Sequence, residues 1–128
     1  MITSWGQRVA RRTRTTARFR IAEYAHPPHC EISLHAHAHP TLCLLVAGEY
    51  ETQIDRRSLV CGPQQVTFKP RGELHTDRFG PAGGRCLVIS YVGPSTEVPE
   101  IQMASLLTTS LVGTQRTQAL GMSLYAEF

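Results

Sequence analysis

Between residues 17 and 93 the chain runs through short strand-like segments, each closed by a Gly- or Pro-bearing turn. Phe19 and Ile21 share one face before Pro27-Pro28 breaks the run, and Cys30 to Leu34 forms the next extended piece. Leu42-Cys43-Leu44-Leu45-Val46 is short, wholly apolar and bounded by Pro40 and Gly48, the pattern of a buried strand. Glu49 to Ile54 follows, closed by the turn Asp55-Arg56-Arg57-Ser58, and Leu59 to Cys61 ends at Gly62-Pro63. Gln65 to Lys69 places Val66 and Phe68 on one side. The turn Pro70-Arg71-Gly72, the segment His75 to Phe79, the turn Gly80 to Gly84 and the strand Cys86 to Val92 complete the series. Seven or eight short strands within about 75 residues predict an all-β sandwich or barrel.

Histidines punctuate this pattern. His35, His37 and His39 occupy alternate positions of one segment, so an extended backbone sends their imidazoles to the same side. His75 follows the Pro70-Arg71-Gly72 turn at the mouth of another strand. Imidazoles from two strands entering one interior make a metal or ligand site, for which His35, His37 and His75 are the candidates. His39 is a rival fourth ligand. Asp77 shares a face with His75 if that strand is extended, and is a candidate ligand or a partner that orients an imidazole. His26 and His29 flank Pro27-Pro28 and read as structural or solvent-exposed.

The 128 residues suffice for one domain and one core. No apolar run approaches the length that crosses a bilayer, so no membrane partner is expected. Cys30, Cys43, Cys61 and Cys86 are scattered without any Cys-x-x-Cys pair, which points to free buried thiols and a reducing, cytoplasmic setting. The net charge of +3 hides an asymmetry: the first twenty residues carry six arginines and no acid, leaving the rest at −3. Residues 1–16, rich in Thr, Ser and Arg without a sustained period, read as a flexible basic arm. Residues 17–93 are the barrel and residues 94–128 a helical segment. Ser95 or Thr96 caps a first helix with a stripe of Val98, Ile101, Leu106, Leu107 and Leu111, broken at Gly113. A second helical pattern sets Leu120, Leu124 and Phe128 at four-residue spacing and runs out uncapped, which suggests a longer natural protein.

These residues resemble the cupin superfamily. Its first motif, His-x-His followed by a glutamate and later a glycine, is matched by His35, His37 and Gly48, with Thr41 standing where the glutamate belongs. Its second motif is matched by Pro70-Arg71-Gly72-Glu73-Leu74-His75, with Phe79 at the usual asparagine and Gly62 two residues early. An even insertion leaves the inward and outward alternation intact. The resemblance implies a double-stranded β-helix (jelly-roll) barrel with one or two C-terminal helices. It is narrower still: the histidine run, Leu42 to Gly48, Cys61-Gly62-Pro63 and Asp77 to Cys86 are similar to the N-terminal sensing domain of AraC-like transcription regulators.

That resemblance implies a small-molecule effector, a homodimer, and DNA contact only through a C-terminal reader missing from this chain. Thr41, Cys43, Phe68 and Phe79 are the candidate pocket residues. Three imidazoles without a carboxylate suit a divalent transition metal (zinc, iron, nickel or copper) better than magnesium or calcium. The competing reading is a stand-alone metal-dependent enzyme of the dioxygenase, isomerase or lyase kind, although no second catalytic set is evident.

Overall fold

A computed structural model of the chain describes residues 9–94, 110–112 and 115–128. Eight strands follow in order: β1 (Val9–Thr15), β2 (Phe19–His26), β3 (Glu31–His35), β4 (Thr41–Ile54), β5 (Arg57–Cys61), β6 (Val66–Lys69), β7 (His75–Tyr91) and β8 (Ser110–Val112). One helix, α1 (Gln115–Glu127), succeeds them. All strand pairs are antiparallel, in the order β1-β2-β7-β4-β6-β8, with β3 attached to β7 and β5 to β4.

The two longest strands organise the barrel. The first half of β4 lies between β6 and the second half of β7, with Leu44 opposite both Val66 and Leu87. Its second half lies between β5 and the first half of β7, with Tyr50 opposite both Cys61 and Phe79. Gly80 to Gly84 is therefore not a hairpin turn, as its composition predicts, but a bent stretch inside one long strand. Both strands turn the same corner, where the register slips between Leu45 and Ala47 and again between Gly48 and Tyr50. Glycine is required there: Gly48 has φ +91°, and a Cβ on it would strike the Gly83 carbonyl.

Alternation divides the walls into an inner and an outer apolar set. Cys30, Ile32, Cys43, Leu45, Tyr50, Cys61, Phe79 and Cys86 pack inside. Leu44, Val66 and Leu87 face outward, where Met122, Tyr125 and Phe128 cover them. The second helical pattern is thus present, but its buried face is not the one the leucine spacing predicts. Leu120 is 65 % exposed and Leu124 37 %, whereas Gly121 lets Leu44 come close to the helix backbone. The four cysteines are free and buried.

Two further expectations change. Val9 to Thr15 are not a loose arm but strand β1, zipped along β2 from Val9 opposite Ala25 to Thr15 opposite Arg20. Its side chains are all exposed, so no periodicity marks it, and backbone pairing alone defines it. Arg11 and Arg12 also reach Glu23 of β2, at 3.6 and 3.1 Å. Leu111 belongs to β8, paired with Thr67 of β6, not to a helix. The remainder of the first helical stripe, Val98 to Leu107, lies outside the described residues, as do residues 1–8.

Candidate metal centre

The histidine segment is extended only as far as it needs to be. Strand β3 ends at His35, which pairs with His75 of β7. His37 is held by a single bridge to Arg71, and its carbonyl accepts the Gly72 N–H at 3.0 Å. The Pro70-Arg71-Gly72 turn thus pins the His37 backbone two residues beyond the strand. The chain then bends through Ala38 and His39 to Pro40, and the Thr41 hydroxyl donates to the His39 carbonyl at 2.9 Å. This bend leaves His39 exposed, so the expected fourth ligand is not with the others.

His35, His37 and His75 converge, with ligand nitrogens all within 4.8 Å of one another. Ring centroids lie 5.3 Å apart for His35 and His37, 4.2 Å for His35 and His75, and 5.0 Å for His37 and His75. His35 Nδ1 lies 2.7 Å from the Ser33 carbonyl and His75 Nδ1 3.1 Å from the Glu73 carbonyl. A carbonyl can only accept, so each Nδ1 carries the proton and each Nε2 presents a lone pair. The Nε2 atoms of His37 and His75 are buried without a hydrogen-bond partner. Buried ring nitrogens without a partner cost free energy unless something ligates them, and a transition-metal ion fits this donor set.

Electrostatics keep the lone pairs available. Burial, and then the Lys69 ammonium, push His37 from 6.5 to about 3 and His75 to about 4. Lys69 and Asp77 face the triad from β6 and β7, each 5 % exposed, with Nζ 3.2 and 3.3 Å from the two carboxylate oxygens. Burial raises the Asp77 carboxyl, but Lys69 and His75 outweigh it and hold the acid below its ordinary range. Asp77 Oδ2 lies 3.9 Å from His35 Nε2 and 3.7 Å from His75 Nε2, which places it beside the triad as its register with His75 predicts.

The adjoining cavity has a volume of about 50 Å³, room for a few waters or one small ligand. Thr41, Cys43 and Phe79 line it, as the sequence suggests, but Phe68 does not. On β6 the apolar residues Val66 and Phe68 face outward, while Thr67 and Lys69 face in. Phe68 is therefore not a pocket residue: it shares the outer face with Val66, which packs against the outer cluster that α1 covers.

Sequence reasoning misses Lys69, Tyr50, Cys86 and His26 as cavity residues. Tyr50 donates to Thr67 Oγ1 at 2.9 Å inside the barrel, and its ring lies 5.2 Å from the Lys69 ammonium. His26 stacks on Phe79 at 4.0 Å, in keeping with a structural role. Lys69 is hidden in the sequence, because a lysine before a Pro-x-Gly turn ordinarily reads as a solvated strand end. Its one signal is that it alternates with Val66 and Phe68.

The folded chain resembles solved cupin barrels. A cupin superfamily protein of Desulfitobacterium hafniense shares 20 % identity, with 67 % of this chain matched to 78 % of that one at a TM-score of 0.60. An RmlC-like cupin of Shewanella frigidimarina shares 20 % identity over 71 % of this chain and 79 % of its own, with a TM-score of 0.57. KdgF from a Halomonas species shares 12 % identity over 71 % and 82 %, with a TM-score of 0.58. No protein-family model matches the sequence, and no curated protein sequence matches it. The fold is the all-β cupin barrel. Among the described residues no helix is long and apolar enough to cross a membrane.

Proposed function

We propose that this chain is a metal-binding cupin sensor domain of the AraC-like regulator kind, taking a small effector beside the metal. One observation carries the metal reading: three imidazoles from two chain segments meet, with Nδ1 of His35 and His75 anchored to carbonyls. When bound, the ion would supply Lewis acidity and an open position for a small ligand. His35, His37 and His75 would hold it. Thr41, Cys43 and Phe79 would bound the effector.

The sensor reading is favoured over the enzyme reading by what surrounds the triad. Two polar pairs there are committed to each other, Lys69 with Asp77 and the Tyr50 hydroxyl with Thr67. Meanwhile Leu44 and Leu87, next in sequence to the cavity residues Cys43 and Cys86, carry α1 on their outer face. A change inside the wall therefore has a direct route to the helix. Homodimerisation and a DNA reader in a further domain complete this proposal.

The test is elemental analysis of purified protein with hydrogen exchange across α1. Wild type is expected to hold close to one zinc, iron, nickel or copper per chain, and His35→Ala/His75→Ala to lose it. Metal loading is expected to slow exchange in α1. Unchanged metal content in the double variant would overturn the metal reading; turnover of a thiol or diketone by iron-loaded protein would favour the enzyme.

A further inference from the structure

A dication held by three neutral imidazoles lacks a counter-charge, and Lys69 beside it makes the imbalance worse. The residue at the motif's glutamate position is Thr41, whose hydroxyl is committed to the His39 carbonyl. Among the described residues, the strands packed around the triad bring Asp77 to it, while their other acids are engaged or exposed. Glu31 of β3 is exposed and pairs with Arg78, Glu49 and Glu51 of β4 are exposed, and Glu23 of β2 pairs with Arg11 and Arg12. Strands β5 and β6 carry no acid among their residues. Asp77 reaches the site: its Oδ2 stands 3.9 and 3.7 Å from the Nε2 atoms of His35 and His75 and 3.2 Å from Lys69 Nζ.

We infer that Asp77 is the carboxylate of this centre, moved from position 41 to β7, and that Lys69 is the resident cation that neutralises it in the metal-free protein. The inference rests on the triad being a metal centre. One oxygen faces both the ammonium and the space between the histidines, so a transition-metal dication and Lys69 compete for it. A buried carboxylate without a counter-charge is strongly disfavoured, and Lys69 removes that penalty while no metal is there. Loading therefore requires the ammonium, on its flexible four-carbon stem, to give up Oδ2. The competition weakens metal binding and makes it reversible, as suits sensing more than permanent retention.

The predictions for the two partners have opposite signs. Zinc affinity is measured on the full chain by competition with a chromophoric chelator, and the visible absorption of the cobalt(II) form reports the ligand set. Asp77→Asn should weaken zinc binding by about tenfold or more and alter the cobalt bands. Lys69→Met should tighten zinc binding by about tenfold, because a like charge is removed. Lys69→Met/Asp77→Asn, a neutral pair of similar shape, should bind zinc more weakly than Lys69→Met and show the altered cobalt bands of Asp77→Asn, which keeps the test open if a single variant fails to fold. Wild-type affinity and cobalt bands in Asp77→Asn, or wild-type cobalt bands in the double variant, would overturn the inference and leave the triad standing. Wild-type affinity in His35→Ala/His75→Ala would overturn both.

Discussion

His37 and His75 are kept neutral well below the ordinary imidazole value of 6.5, at about 3 and about 4 respectively. An unfolded chain takes up protons on both rings as the pH falls through 6.5, while the folded protein does not until the lowered values. The unfolded state therefore binds more protons across that window, and stability declines as the pH is lowered through it. The depressed carboxyl of Asp77 acts the same way, but only below its ordinary 3.8. The thermal midpoint of metal-free protein is expected to fall steadily from pH 7 to pH 4.5, and a His37→Asn/His75→Asn variant should flatten that slope. An equal slope in wild type and variant would assign the effect elsewhere.

At the scale of the element, the corner shared by β4 and β7 decides whether the two halves of the barrel close. Gly48 and Gly83 both have positive φ, and their backbones touch where a Cβ has no room. Gly48→Ala is expected to destabilise the protein by about 3 kcal/mol, read from urea unfolding. A loss under about 0.5 kcal/mol, the size of an ordinary surface change, would mean that the corner tolerates a side chain. This glycine is visible in the sequence as part of the cupin-like motif. That β4 continues unbroken through it is not, because a bulged strand and two strands joined by a turn have the same composition. Strand β1 is hidden for a related reason: an edge strand exposed on every residue leaves no apolar alternation to read.

Across the whole molecule, α1 ties the outer surface together. Tyr125 packs against the outer apolar cluster, and Glu23 of β2 receives Arg12 of β1; Arg12 lies 5.6 Å from the Tyr125 ring and 4.7 Å from that of Phe128. Helix, β1 and β2 are thus joined through Arg12, which reaches both the buried Glu23 and the two rings of α1. Tyr125→Ala should cost about 2–3 kcal/mol and expose apolar surface to a hydrophobic dye, whereas Leu120→Ala, at an exposed position, should cost less than about 0.5 kcal/mol. Equal losses in the two would show that the helix docks through its leucines.

The sequence by itself determined the barrel and the imidazoles that meet, since strand alternation and turn residues act locally and fix the direction of His35 and His75 relative to their own backbones. It also determined that position 41 lacks a carboxylate. Tertiary structure decided the rest. Only the bend at Ala38 to Pro40 removed His39, only the register of β6 on β4 turned Val66 and Phe68 away from the cavity, and only the pairing of β4 with both β6 and β7 set Lys69 against Asp77. Those outcomes depend on energies between residues far apart in the chain, and no local pattern encodes a charge that is tolerable only because its partner is buried beside it.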